Sequence, residues 1–185
     1  MQPDPQSITT ARSVLVLVDI QERLLPVMSG ADSLLANTIL LAKAASILNI
    51  PVLVAEQYPR GLGHTVPALK QDVSDCRVFE KLTFSACGTP GIPEALAAAG
   101  RPDVILAGIE SHVCVMQTCL GLLRQGFRVF VCADAIASRT PENCRLGLER
   151  MRSAGALPAS TEMVLFEWLE KAGSPEFKHI QALLK

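Results

Sequence analysis

Several absences in the sequence exclude whole classes of protein. Neither sign of charge is in excess, because 17 Lys and Arg residues stand against 18 Asp and Glu residues, a net charge of −1. That balance gives no reason to expect a nucleic acid or an anionic membrane surface as partner. No apolar run approaches the roughly 20 residues that cross a bilayer, and the polar N-terminus is unlike a signal peptide. We therefore expect a cytoplasmic protein.

A Cys-x-x-Cys pair is also absent, although the sequence has six cysteines. Its absence argues against a structural zinc site and against a thioredoxin-like redox motif. Because no secretion signal is evident, we expect free thiols in a reducing compartment. Five of the six are expected to be small packing residues: Cys76, Cys87, Cys119, Cys132 and Cys144.

The apolar segments that are present predict the fold. Six short apolar runs alternate with helical patterns, which predicts a three-layer α-β-α fold with a six-stranded, mostly parallel sheet. The strands are predicted at 13–19, 51–57, 77–81, 104–108, 128–134 and 163–168. The helices are predicted at 32–49, 92–99, 112–125, 142–154 and 175–184. We expect residues 1–12 to form a flexible N-terminal tail and residues 13–185 to form a single domain.

Ionisable side chains stand where predicted strands end. Sheets of this kind bind ligands at the carboxyl ends of their strands. Asp19 ends the first strand, Lys81 ends the third, and Cys114 follows the fourth. If Ser111 is the N-cap, Cys114 is the third residue of a helix, where the helix dipole favours loss of the thiol proton. The same edge is expected to carry three further polar residues: Glu56, Gln57 and Asp134.

These positions support more than one interpretation. In the catalytic one, Asp19 takes the proton of Cys114, while Lys81 lowers the thiol pKa and holds Asp19 by a charged hydrogen bond. In the structural one, these residues are a buried helix cysteine, a strand-end cap and a surface lysine. A third interpretation is a non-catalytic or redox-sensing thiol protein on the same fold. A nucleotide or flavin binder is disfavoured, because the turn at 19–24 contains no glycine-rich phosphate loop.

The amino-acid sequence of these segments resembles that of a known family, the isochorismatase-like cysteine hydrolases. The resemblance extends from residue 13 to 168, and the stretch from Glu110 to Thr118 is similar to a subgroup of uncharacterised hydrolases. Four segments carry it: Asp19-Ile-Gln21, Phe79 to Ser85 around Lys81, Gly108 to Val115 around Cys114, and Asp134 to Arg139.

The resemblance implies a Rossmann-like fold and a catalytic triad of Asp19, Lys81 and Cys114. It implies hydrolysis of a C–N bond, in an amide or carbamoyl group of a small molecule, through a cysteine acyl-enzyme. It also implies a cis peptide bond between Ile109 and Glu110. The oxyanion hole would then be formed by the backbone N–H groups of Glu110 and Cys114.

The sequence departs from two member types of that family. Isochorismatase proper acts without a nucleophilic cysteine, so the presence of Cys114 disfavours its activity here. Nicotinamidases hold a metal with an Asp-x-His pair after the second strand, but the segment 55–64 has no such pair and only one histidine, His64. We therefore predict no metal and no cofactor, and we expect His64 to cap a loop or face solvent.

The surroundings of the nucleophile are predicted less sharply. His112 lies two residues before Cys114 and would face elsewhere on a helix, which favours packing. Glu110 would either raise the thiol pKa or bind nearby backbone. The low charged fraction of 19%, and the homo-oligomers that relatives form, predict a homo-oligomer. Five residues are expected to line the pocket, or else to be plain core: Gln21, Leu24, Tyr58, Phe84 and Ile109.

Overall fold

The computed structural model describes residues 7–73 and 76–184, and within them six strands form one sheet. All neighbouring strands are parallel, in the order β3-β2-β1-β4-β5-β6. The predicted six-stranded, mostly parallel sheet is therefore confirmed. The strands are β1 (Ser13–Val18), β2 (Val52–Gln57), β3 (Arg77–Lys81), β4 (Asp103–Ile109), β5 (Arg128–Ala137) and β6 (Leu157–Ala159).

Helices connect the strands and cover the sheet. A π-helical turn, Ser111–Val115, follows β4, and short 3₁₀ turns occur at Thr10–Arg12, Leu25–Val27 and Ala86–Gly88. In the part of the chain that the structure describes, no helix is long and apolar enough to cross a membrane. The α-helices are α1 (Ala31–Ile47), α2 (Pro59–Leu62), α3 (Pro67–Lys70), α4 (Ile92–Ala99), α5 (Met116–Arg124), α6 (Pro141–Ser153), α7 (Thr161–Leu169) and α8 (Pro175–Leu183).

The two faces of the sheet are covered by different sets of helices. Along β1, Leu15 and Leu17 pack into the core that contains residues of α1, α7 and α8. The alternating Val14, Val16 and Val18 pack into the opposite core, with residues of α4, α5 and α6. Because side chains alternate along a strand, one buried strand supplies both cores, and the three-layer α-β-α fold is confirmed.

The strand order reverses at β1. Strands β2 and β3 extend to one side of it and β4, β5 and β6 to the other, so a crevice opens between the carboxyl ends of β1 and β4. Gly108, at φ +127°, lets these two strands approach: a Cβ there would lie 2.1 Å from the carbonyl oxygen of Val18. The residue after Val18 is Asp19, so this close approach brings the first candidate residue against β4.

The predicted sixth strand, 163–168, is wrong. That segment belongs to helix α7, and the sixth strand is the shorter β6. The buried residues Val164, Leu165 and Trp168 have the spacing of one helix face. The sequence alone does not show this, because a dense apolar run fits the hydrophobic period of a strand as well as that of a helix. Ser160 begins the helix, since its hydroxyl accepts a hydrogen bond from the N–H of Met163 at 3.2 Å.

The predicted N-terminal tail, 1–12, lies partly outside the described residues, which begin at Ser7. In the second half of that range, Ile8 is buried and its N–H donates to a carboxylate oxygen of Glu167. Arg12 forms two hydrogen bonds with the buried carboxylate of Asp103, at 3.0 and 3.2 Å. The packed part of the chain therefore begins ahead of Ser13.

Candidate active site

The three candidate residues occupy the carboxyl edge of the sheet. Asp19 follows β1, Lys81 is the last residue of β3, and Cys114 lies in the π-helical turn after β4. The Lys81 ammonium donates to Asp19 Oδ2 at 2.7 Å, and neither side chain is exposed to solvent. The structural interpretation of Lys81 as a surface lysine is thus excluded by its burial.

The ammonium of Lys81 has acceptors on every side. Besides Asp19 it contacts Gln57 Oε1 at 2.6 Å, the carbonyl of Phe84 at 3.2 Å and, more distantly, the carbonyl of Thr83 at 3.4 Å. An ammonium has three N–H donors, so these acceptors use all of them. Lys81 therefore has no donor left for a substrate, and it acts on the site through its charge and through Asp19.

The carboxylate of Asp19 has one oxygen bound and one unbound. Oδ2 accepts from Lys81, whereas Oδ1 is buried and has no hydrogen-bond partner among the described residues. Burial raises the pKa of Asp19, while Lys81, the Cys114 thiol and the Gln57 backbone act to lower it. The thiol of Cys114 is therefore among the groups that interact with the carboxyl group of Asp19.

The surroundings of Cys114 raise the pKa of its thiol. Burial and, next, the neighbouring Asp19 carboxylate raise the pKa of Cys114 from 9.0 to about 12, although the Lys81 ammonium acts to lower it. This direction is opposite to the one expected from the helix start and from Lys81, because burial is the largest cause and acts against the charged thiolate. The site thus places the thiol of Cys114 beside the buried carboxyl group of Asp19.

The turn that carries Cys114 also differs from its predicted form. Ser111 is not the N-cap; Glu110 is, and Cys114 is the fourth residue of the π-helical turn. The Ser111 hydroxyl instead donates to the carbonyl of Cys144 at 3.1 Å, which ties the turn to α6. The peptide bond between Ile109 and Glu110 is cis, as the family resemblance implied.

Two polar side chains beside the turn bind the end of β5. Glu110 Oε2 accepts from the Arg139 backbone N–H at 3.1 Å and from its guanidinium at 3.0 Å. The His112 ring lies 2.9 Å, through Nδ1, from the hydroxyl of Ser138. The negative charge of Glu110 is therefore paired with Arg139, and His112 contacts Ser138, while the packing role expected of His112 stays a prediction.

The predicted pocket residues are distributed unevenly around the site. Tyr58 lines a cavity of about 330 Å³ together with Lys81 and Leu82, and Tyr58 and Phe84 are both about half exposed. Gln21 and Ile109 are fully buried, and Leu24 packs against the core. Within the described residues only Tyr58 of the predicted set lines this cavity, so the remaining pocket roles stay predictions.

Two polar groups at the sheet edge serve the fold. Asp134, which was expected at this edge, is exposed, and its Oδ1 accepts from the N–H and the hydroxyl of Thr161 at 2.8 and 3.0 Å, at the start of α7. Glu56 accepts from the N–H and the hydroxyl of Thr65, both at 2.7 Å, and lies 2.9 Å from His64. His64 thus closes a loop, in agreement with one of its two expected roles.

The charge of Glu56 is stabilised by these contacts. Burial alone would raise the pKa of Glu56, but the bonds from Thr65 and the nearby His64 lower it below its usual range.

No group of three potential metal ligands occurs in 7–73 or 76–184. The prediction that the site works without a metal remains a prediction.

Gln57 is the functional candidate whose role the sequence did not reveal. Its position at the end of β2 was evident, but its contact with Lys81 was not. The available signal is the strand register, since Gln57 and Lys81 are paired residues of neighbouring strands. Side chains of paired residues project from the same face of a sheet, so the two meet.

The doubly wound parallel sheet, with polar residues in the crevice at its switch point, defines an α/β protein of the Rossmann-like class. The isochorismatase domain model matches residues 13–163. The secreted isochorismatase effector Isc1 of Phytophthora sojae is 40% identical over 178 residues, covering 94% of this chain and 84% of the relative. Isochorismatase domain-containing protein 2 of Danio rerio is 38% identical over 178 residues, covering 96% and 89%. The chain belongs to the isochorismatase-like hydrolase family.

Solved structures of similar proteins agree with this assignment. The MAR1 ribonuclease of Caenorhabditis elegans superposes with a TM-score of 0.91 at 36% identity, covering 96% of this chain and 92% of that one. YcaC of Pseudomonas aeruginosa, with hexane-2,5-diol and covalent acrylamide, gives 0.91 at 25% identity, covering 97% and 92%. The Escherichia coli YcaC product, described as an octameric hydrolase of unknown specificity, gives 0.88 at 25% identity, covering 100% and 89%.

Proposed function

We propose that this protein is a cysteine-dependent amidohydrolase that cleaves a C–N bond in an amide or carbamoyl group of a small molecule. One observation carries the proposal. A buried aspartate has one oxygen held by Lys81 at 2.7 Å and the other without a hydrogen-bond partner among the described residues, next to the thiol of Cys114. A carboxylate held in this way keeps one oxygen available to accept a proton, and the thiol of Cys114 is among its neighbours.

The first half of the reaction forms an acyl-enzyme. Asp19 takes the thiol proton of Cys114 as Sγ attacks the carbonyl carbon of the substrate. The carbonyl oxygen gains the negative charge, which the backbone N–H groups of Glu110 and Cys114 stabilise. The C–N bond then breaks, the proton on Asp19 passes to the leaving nitrogen, and a thioester on Cys114 remains.

The second half of the reaction returns the enzyme to its starting state. Asp19 takes a proton from a water molecule as the water oxygen attacks the thioester carbon. The same oxyanion hole stabilises the negative charge that forms on the carbonyl oxygen. The C–S bond breaks, the proton moves from Asp19 to the sulfur of Cys114, and the acid is released. Lys81 remains charged throughout and stabilises whichever partner carries the negative charge.

The family comparisons support a small-molecule substrate and a homo-oligomer. One relative was solved with covalent acrylamide, a small amide that reacts with nucleophiles. Another relative is described as octameric, so we propose a homo-oligomer here. The mechanism needs no cofactor, nucleic acid or membrane. Because one relative is named as secreted, the cytoplasmic location remains a prediction.

The proposal is tested by ammonia release from a panel of small primary amides and carbamoyl compounds. We expect Cys114→Ala to abolish release and Cys119→Ala to retain it, since Cys119 is a buried packing residue outside the site. Acrylamide should add one mass increment to the wild type at Cys114. Acyl-enzyme trapping with a slow amide, followed by mass spectrometry, identifies the intermediate.

RNA belongs in the same panel, because one similar structure is a MAR1 ribonuclease. Cleavage of RNA that survives Cys114→Ala, with no amide hydrolysed by the wild type, would contradict the proposal. Reversible oxidation of Cys114 without turnover of any substrate would instead support the alternative of a redox-sensing thiol protein.

A further inference from the structure

The side chain of Gln57 contacts the buried ammonium as closely as the aspartate does. Its Oε1 lies 2.6 Å from Lys81 Nζ, and its Nε2 donates to the carbonyl of Leu82 at 2.9 Å. An ammonium can only donate and a carbonyl can only accept, so these two partners fix which way the amide points. Both polar ends of the side chain therefore have a partner within the site.

The backbone of Gln57 is held in turn by a second glutamine. Gln21 Oε1 accepts from the Gln57 N–H at 2.7 Å, and Gln21 Nε2 donates to the Gln57 carbonyl at 2.9 Å. Gln21 Nε2 also donates to the carbonyl of Gly63 at 2.6 Å, and its side chain is fully buried. Gln21 was predicted to line the pocket, whereas these bonds fix the strand end that carries Gln57.

The charges of the site explain why a neutral acceptor is needed here. Lys81 is one cation, and both Asp19 and Cys114 are able to carry a negative charge. Burial raises the pKa of both groups, so the buried site favours a single anion that the two share. An amide oxygen occupies the remaining N–H of the ammonium without adding a second anion that would compete for it.

We propose that Gln57 is a positioning residue, which directs the Lys81 ammonium at Asp19 as an uncharged acceptor and is itself held by Gln21. It acts through Lys81 and does not touch the substrate. The inference rests on the proposed function, because it assigns Gln57 a part in the same Asp–Lys–Cys site. The inference predicts that a charged side chain at position 57 changes the pH dependence of Cys114 alkylation, whereas an uncharged side chain that cannot bind Lys81 lowers kcat.

The test compares Gln57→Glu and Gln57→Leu with the same changes at Gln71, an exposed glutamine outside the site. Acrylamide alkylation of Cys114 is followed by mass spectrometry against pH and needs no substrate. The midpoint is compared through the displacement of the rate–pH curve along the pH axis, so no plateau is needed. We expect Gln57→Glu to displace this curve upward by about 1 pH unit, which is about tenfold slower alkylation at a given pH, because a new anion weakens the support that Lys81 gives the thiolate. Gln71→Glu should leave the midpoint unchanged.

Turnover supplies the second measurement. With the amide that the wild type hydrolyses fastest, we expect Gln57→Leu to lower kcat by about 10- to 100-fold through loss of alignment, with KM unchanged. Gln71→Leu should match the wild type. Circular dichroism checks that each variant folds; if Gln57→Leu does not, the midpoint of Gln57→Glu decides.

The outcomes separate this inference from the proposed function. An unshifted midpoint in Gln57→Glu, or full kcat in a folded Gln57→Leu, overturns the inference even where Cys114→Ala abolishes amide turnover. If the wild type hydrolyses no amide, the proposed function fails, and the alkylation midpoint alone still decides whether Gln57 acts on the charge of Lys81.

Discussion

The substitution Asp19→Asn separates the two effects that Asp19 has on Cys114. In the proposed mechanism Asp19 is the proton acceptor, so its carboxylate would be required for turnover. As a neighbouring negative charge, it raises the thiol pKa, second only to burial. Removing the charge leaves the Lys81 ammonium without its carboxylate partner at 2.7 Å, so the thiolate becomes its natural counter-ion. We therefore expect a variant that turns over no amide but carries a more acidic cysteine.

The magnitude follows from the raised pKa. A rise from 9.0 to about 12 lowers the thiolate fraction at neutral pH about 1,000-fold, which corresponds to about 4 kcal/mol. Burial contributes most of this rise and persists in the variant. A neighbouring like charge accounts for about 1 unit or more, so the alkylation midpoint of Cys114 should fall by at least about that amount in Asp19→Asn.

The assay measures the rate of acrylamide addition at Cys114 from about pH 6 to pH 10, where free thiols titrate. The wild type should show no plateau in this range, whereas Asp19→Asn should react about tenfold faster near neutral pH. The other five cysteines are internal controls in each sample. An alkylation midpoint in Asp19→Asn that equals or exceeds that of the wild type would refute the charge balance described for this site.

Three further predictions concern the nucleophile turn and a buried ion pair at the opposite edge of the sheet. Gly147→Ala would place a methyl group 2.8 Å from Ser111 Oγ, so kcat should fall about tenfold as the nucleophile turn shifts, measured together with thermal melting. Asp103→Ala should cost about 2–4 kcal/mol by unpairing two arginines, seen as a Tm lower by roughly 10 °C. Burial raises the pKa of Asp103, but its two arginines hold that pKa below the usual range. The difference in Tm between Asp103→Ala and the wild type should therefore become smaller at acid pH, where Asp103 of the wild type becomes protonated. Glu110→Gln should move the Cys114 alkylation midpoint by less than about 0.5 pH unit, because Arg139 already balances this charge; a larger shift would contradict that pairing.

The strands and the site were predictable where one rule decided the outcome. Dense apolar runs mark buried parallel strands, and the carboxyl ends of such strands meet at one edge. Those two rules place Asp19, Lys81 and Cys114 together without any knowledge of side-chain contacts. Val164 and Leu165 show the limit, because a short apolar run fits a helix as well as a strand until its buried positions are known.

The electrostatics of the site could not be predicted from the sequence. The thiol pKa depends on how deeply Cys114 is buried, and burial is a property of the whole fold. The partner of Lys81 depends on the register of β2 against β3, which sets Gln57 beside it. Ser111 is a good N-cap residue by type, but the packing of α6 offered its hydroxyl a different acceptor.

The position of Lys81 on the outermost strand has a consequence for how the enzyme would lose activity. In the sheet formed by the residues that the structure describes, strand β3 lies at one edge, next to β2, and most of its residues are at least partly exposed. Edge segments open in local fluctuations that cost less free energy than global unfolding. The backbone amides of β3 should therefore exchange with deuterium sooner than those of β1 and β4. On heating, the ammonium would leave Asp19 while the central strands are still folded, so inactivation should precede the loss of secondary structure.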